Sequence, residues 1–175
     1  MGKALSGPAL IALTARVGGL LKAKGEKLVT AESCTGGGVA AAVTEIAGSS
    51  EWFDRGFVTY SNEAKVEMLK VVPSTLQAHG AVSEETAREM ALGALAASRG
   101  TVSVSVTGVA GPGGGSRAKP VGTVCFAWAR SGEEMPRSET RHFSGDRAEV
   151  RRLSVLRALQ GVVEIMDNGV PHDKS

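Results

Sequence analysis

The chain has 175 residues, of which 42% are hydrophobic and 22% charged, with a formal net charge of +2. That is the size of one compact domain able to bury about two-thirds of its unfolded surface. With no basic run and only two Trp, one Tyr and four Phe, nothing points to nucleic acid. Cys34 and Cys125 are too few for a disulfide framework, and His79, His142 and His172 are too scattered to form a zinc cluster.

No apolar run approaches the length of a membrane span, and no segment near the start has the order of a leader peptide, so a soluble cytoplasmic protein without membrane contacts is expected. Residues 1–167 read as one domain, and 168–175 as a polar tail expected to fray. The departure from ordinary composition is glycine: 23 residues, clustered near 36–38 and 108–115. Concentrated glycine lets backbone approach something closely.

From Pro8 to Ala23, Leu10, Leu13, Val17, Leu20 and Leu21 keep helical spacing, and Gly25 stops the segment. Lys27 to Ala31 predicts a short strand, and Val39 to Ile46 a small-residue helix closed by Gly48. Phe57 to Tyr60 alternates like a strand; Ser61 and Asn62 are caps for a helix through EAKVEMLK, which Pro73 ends. Ser83 opens another helix running through Met90, Leu92 and Leu95 to Gly100. Thr101 to Val106 alternates apolar and small polar residues and meets the second glycine cluster. Val121 to Ala129 and Glu139 to Phe143 predict strands whose short connection favours an antiparallel pair. Asp146 caps a last helix carrying Val150, Leu153, Leu156 and Val163.

The order α-β-α-β-α-α-β-β-β-α implies a three-layer α/β/α sandwich on a mostly parallel mixed sheet of about five strands, at least one of them antiparallel. In such sheets ligands bind at the carboxyl ends of strands, where both glycine clusters fall.

TAESCTGGG, 30–38, sets two nucleophile types side by side between a strand and a helix start. An oxyanion beside Ser33 could be held by amides from Cys34 through Thr35 and Gly36 to Gly37; equally, Ser33 or Thr35 could simply cap the helix. Cys34 is intrinsically the stronger nucleophile, yet successive side chains diverge, so the two are not expected to share a substrate, and Cys34 is expected to pack inward. A serine needs a base, and no histidine is suitably placed. Lys65 is the alternative, provided that burial or a neighbouring cation strips its proton; otherwise it is a solvated helix charge. Tyr60 either relays a proton or fills a core edge.

TGVAGPGGGS, 107–116, fits neither a phosphate-binding P-loop nor a dinucleotide fingerprint. Its amides form an anion nest or merely a linker. Arg147, Arg151 and Arg152 either add phosphate contacts or make a solvated face.

Taken together, TAESCTGG at 30–37, GFVTYSNEAK at 56–65, HGAVSEE at 79–85, TGVAGPGGG at 107–115, KPVGTV at 119–124 and SGDR at 144–147 resemble the CinA C-terminal domain family, especially its stand-alone nicotinamide-nucleotide amidohydrolases. The resemblance implies hydrolysis of the carboxamide of nicotinamide mononucleotide (NMN) in pyridine-nucleotide recycling, with no cofactor and no metal. It puts the nucleophile at Ser33, with Lys65 as base, helped by Tyr60, and amides around Thr35 to Gly37 as the oxyanion site. It assigns the ribose phosphate, less firmly, to Thr107, Gly108, Gly111, Gly113, Gly114 and Arg147. SRAK at 116–119 departs from relatives that more often carry an acidic residue there. Two other readings stay open: a nucleotide-binding regulatory module without useful catalysis, and a serine amidase for another small amide. A homo-oligomer is expected of an enzyme this small with so open a site.

Overall fold

A computed structural model describes residues 7–168. The expected tail from Gly169 onward lies outside the described residues. The elements are α1 (Pro8–Lys24), β1 (Leu28–Glu32), α2 (Gly38–Thr44), a 3-10 turn (Ser49–Glu51), β2 (Phe53–Val58), α3 (Asn62–Leu69), α4 (Pro73–His79), α5 (Glu84–Ala96), β3 (Val102–Gly108), β4 (Thr123–Arg130), β5 (Arg137–His142) and α6 (Arg147–Asp167). One mixed sheet runs in the order β2-β1-β3-β4-β5. β1 is parallel to β2 and β3, while β4 is antiparallel to both β3 and β5, so β4 alone opposes the other four strands.

Alternation along the strands sorts the two faces. Val102, Val104, Val106, Val124, Phe126 and Trp128 point into one core with residues of α1, α2 and α6. Val29 and Ala31 face the other way, with Leu69, Met90 and Ala94, while Cys125, Ala127 and Ala129 meet Ala87 and Ala91. The small polar residues of β3 are not on a wet face. Ser103 Oγ donates to Ala91 O at 2.8 Å and Ser105 Oγ to Ala87 O at 2.6 Å, so their hydroxyls are satisfied under α5.

The expected caps form. Ser61 Oγ accepts from Ala64 N, Ser83 Oγ from Thr86 N, and Asp146 Oδ1 from Glu149 N. Two expectations need correcting. Pro73 does not end the helix through Lys65: α3 stops at Leu69, where Lys70 turns left-handed (φ 58°), and Pro73 instead opens α4 at a position where its missing N–H costs nothing. The strand expected at 57–60 lies at Phe53–Val58, leaving Tyr60 beyond it. It lies at the sheet edge, paired with β1, and the polar residues Asp54 and Arg55 hide its period.

The topology also fixes where a site can lie. β1 runs into α2, which packs with α1 and α6, whereas its neighbour β2 runs into α3, which packs on α5 on the opposite face. Chain leaving adjacent strands toward opposite faces opens a crevice at their carboxyl ends.

Candidate active site

That crevice holds a cavity of about 300 Å³. Around it the fold gathers Ser33 and Cys34 from the end of β1, Tyr60 and Lys65 from the end of β2 and α3, and Thr107, Gly108, Gly111, Gly113 and Gly114 from the end of β3 and its loop; Arg147 joins them from the start of α6. Thr35, Gly36 and Gly37 do not line it. Ala81, Val82, Val109 and Ala110 do, forming an apolar wall that carries no recognisable motif in the sequence.

Lys65 is 1% exposed and Ser33 8%. Lys65 Nζ donates to Ser33 Oγ at 3.1 Å and to Thr59 O at 2.8 Å, with Tyr60 O at 3.5 Å. Its position follows from the chain: the Ser61 cap starts α3 three residues earlier, turning position 65 back over the end of β1. Thr59 N bonds Glu32 O at 2.8 Å, tying the segment after β2 to the last residue of β1. Among the described residues, no carboxylate hydrogen-bonds or ion-pairs with Lys65. Burial therefore holds the Lys65 ammonium below the ordinary lysine range, with Cys34 opposing weakly. A lysine so placed can give up its proton and accept one from the serine hydroxyl.

The adjacent thiol is treated differently. Cys34 packs into the α1/α2/α6 core and is 6% exposed, and burial pushes its pKa up to about 12. Both residues border the cavity, but of the two side chains Ser33's is the one hydrogen-bonded to Lys65.

The turn 33–37 has donors to spare. Ser33 N bonds Val106 O, Gly36 N bonds Ser33 O and Gly38 N bonds Thr35 O. The N–H groups of Thr35 and Gly37 have no backbone or side-chain acceptor among the described residues, and that of Cys34 meets only its own thiol. Gly37, at φ 99°, serves as the N-cap of α2 in a conformation that a side chain would strain.

Tyr60 is 62% exposed, and its hydroxyl accepts from Arg147 Nη2 at 3.3 Å; it hydrogen-bonds neither Ser33 nor Lys65. Arg147 Nη1 donates to Gly111 O at 2.8 Å, so this guanidinium spans the cavity mouth from the glycine loop to Tyr60. Gly111 is at φ 86°, and a Cβ there would lie 2.5 Å from Val121 Cγ1, so the loop can close only on a glycine. Thr107 Oγ1 donates to Ala81 O at 2.8 Å and holds the wall. The other two arginines singled out in sequence go elsewhere: Arg151 to the carbonyls of Cys34 and Thr35, and Arg152 to Glu149.

Glu32 carries no motif signal, yet it is 1% exposed and binds Thr35 Oγ1, Val39 N and Ala40 N. A carboxylate at the end of a strand, a turn ahead of a helix start, is the one hint that sequence offers. Among the described residues, no group of three or more His, Cys, Asp or Glu could hold a metal ion, and no helix is long and apolar enough to cross a membrane.

These features define a three-layer α/β domain with a buried serine–lysine pair facing a glycine-rich loop. The chain belongs to the CinA C-terminal domain family, whose model matches residues 10–166. It is 58% identical to the nicotinamide-nucleotide amidohydrolase PncC of Escherichia coli K12 over 86% of this chain and 91% of that one. With the Pseudomonas putida protein of the same name the identity is 48%, over 87% and 94%. Among solved structures, the competence/damage inducible protein CihA of Agrobacterium tumefaciens superposes with a TM-score of 0.89 at 45% identity, covering 93% of this chain and 98% of that chain.

Proposed function

We propose that this protein hydrolyses the carboxamide of NMN to nicotinate mononucleotide and ammonia, in cytoplasmic pyridine-nucleotide recycling. The observation that carries the reading is the buried Lys65 Nζ, 3.1 Å from Ser33 Oγ and without a carboxylate partner among the described residues. The names of the relatives support a nicotinamide nucleotide as the substrate.

In this mechanism Ser33 Oγ attacks the carboxamide carbon as neutral Lys65 takes its proton. The oxyanion is held by backbone N–H groups at the start of the turn, of which that of Cys34 belongs to a residue lining the cavity. Collapse of the tetrahedral species breaks the C–N bond, and Lys65 returns the proton to the leaving ammonia. Water then attacks the nicotinoyl ester, Lys65 takes its proton, and Ser33 leaves as the restored hydroxyl. Tyr60 contributes its carbonyl to the Lys65 nest, and through its hydroxyl it steadies Arg147. The amides of Gly111, Gly113 and Gly114 with Arg147 face the ribose phosphate, and gripping it orients the ring for attack.

Ammonia release from NMN by wild type, Ser33→Ala and Cys34→Ala tests this. Loss by about 10³-fold or more in Ser33→Ala alone is expected; activity surviving in Ser33→Ala contradicts it. Binding of NMN by wild type without ammonia release favours a binding module instead.

A further inference from the structure

Two charged side chains that take no part in this chemistry converge on the Ser33 turn from different elements. Glu32, the last residue of β1, accepts from Thr35 Oγ1 at 2.7 Å, Val39 N at 2.8 Å and Ala40 N at 3.1 Å. Arg151, one helical turn into α6, donates from Nε to Cys34 O at 3.2 Å and from Nη2 to Thr35 O at 3.3 Å. One residue binds the donors of the segment and the other its carbonyls.

The segment needs both. α2 starts at a glycine N-cap with no side-chain capping bond, and although Gly38 N reaches Thr35 O, the amides of Val39 and Ala40 have no local backbone acceptor. Glu32 supplies that acceptor from across the turn, where the helix dipole favours a carboxylate. Arg151 acts through peptide geometry. The carbonyl of Cys34 and the N–H of Thr35 belong to one planar trans unit and point in opposite directions. A guanidinium fixed on that carbonyl therefore sets the direction of the Thr35 N–H, one of the unspent donors. Through Thr35 O it also steadies the next peptide, whose N–H bonds back to Ser33 O.

We infer that Glu32 and Arg151 are positioning residues for the Ser33 turn. Together they clamp residues 33–37 so that Ser33 Oγ stays against Lys65 Nζ and the peptide units of the turn keep their orientation behind it. The inference rests on the serine-amidase reading. It assigns neither residue a contact with substrate, so the two should act on the chemical step and not on binding.

The test uses Glu32→Gln, which keeps the shape but turns one acceptor oxygen into a donor facing backbone donors, and Arg151→Met on a half-buried surface. Expected is a fall in kcat for NMN of about 10- to 100-fold for the first and about 3- to 10-fold for the second, with KM within about threefold of wild type. A second readout needs no NMN: the rate at which a fluorophosphonate modifies Ser33, followed by mass spectrometry, should slow in the same order. Folded variants with wild-type kcat and wild-type labelling rates overturn the inference, as does a loss confined to KM. If Glu32→Gln does not fold, Arg151→Met decides by the same criteria. If wild type labels at Ser33 but releases no ammonia from NMN, the substrate assignment fails while the labelling rates still judge the clamp.

Discussion

Lys65 and Arg157 are both nearly buried cations, at 1% and 7% exposure, and the fold treats them in opposite ways. Arg157 lies on α6 between two carboxylates. It ion-pairs with Glu139, and its Nη1 meets Glu164 Oε1 at 2.7 Å, while its guanidinium sits 5.2 Å from the centre of the Trp128 ring. The bond to Glu164 leads the effects that raise its pKa, burial opposes, and Glu139 adds to the rise. Lys65 has carbonyls and a hydroxyl around it but, among the described residues, no carboxylate partner, and burial lowers its pKa. A cation meant to stay charged is given counter-ions, whereas one meant to lose its proton is desolvated without them.

Paired substitutions sharpen that contrast, and the largest effect belongs to the lysine. Lys65→Met should lower kcat for NMN by about 10²- to 10⁴-fold. It should also raise Tm by about 2–4 °C, because an unpaired buried amine costs stability that a methionine does not. Arg157→Met should do the reverse, leaving kcat near wild type while lowering Tm by about 3–10 °C. This corresponds to ~1–3 kcal/mol, discounted for the partial exposure and screening of Glu164. Kinetics and thermal melts of the two variants check both; a Lys65→Met protein that melts earlier than wild type, or an Arg157→Met protein that loses turnover, breaks the comparison.

The pH dependence of stability gives a smaller effect of the same kind. Glu164 is held below the ordinary carboxylate range by Arg157. Glu139 is also held low: burial pushes it up, but Arg157 and Arg141 outweigh that. Folded values below unfolded ones mean stability that is present above the ordinary carboxylate range and lost as pH falls through the folded values. Lys65 gives a slope of the same sign at the other end of the scale. Its folded value lies below 10.5, so the unfolded chain binds more protons in that window and stability rises with pH through it. Denaturant melts across pH should show a shallower acid limb in Arg157→Met and a flatter alkaline limb in Lys65→Met. Unchanged limbs would mean that neither group titrates as its surroundings require.

The same contrast marks what the sequence reveals. TAESCTGGG and TGVAGPGGG are legible because glycine at a strand end and before a helix has few other uses, and the alternation of TVSVSV marks β3. Lys65 reads locally as one charge on a helix that also carries Glu63 and Glu67; only the pairing of β1 with β2 brings it under Ser33. Glu32 is harder still, since its partners Val39 and Ala40 lie seven and eight residues away across a turn. Arg151 and Arg152 are neighbours in sequence, but a rotation of about 100° along the helix sends one to the turn and the other to Glu149. Tyr60 was expected at a strand end and sits past it, because an edge strand with polar residues loses the period that would locate it.

The central claim is that Lys65 is the neutral base beside Ser33. Its most direct test is an NMR titration of isotope-labelled lysine side chains, with Lys65 assigned by comparison with Lys65→Met. Lys65 should lose its proton at clearly lower pH than the exposed lysines. Titration of Lys65 together with them, near about 10.4, would contradict the account.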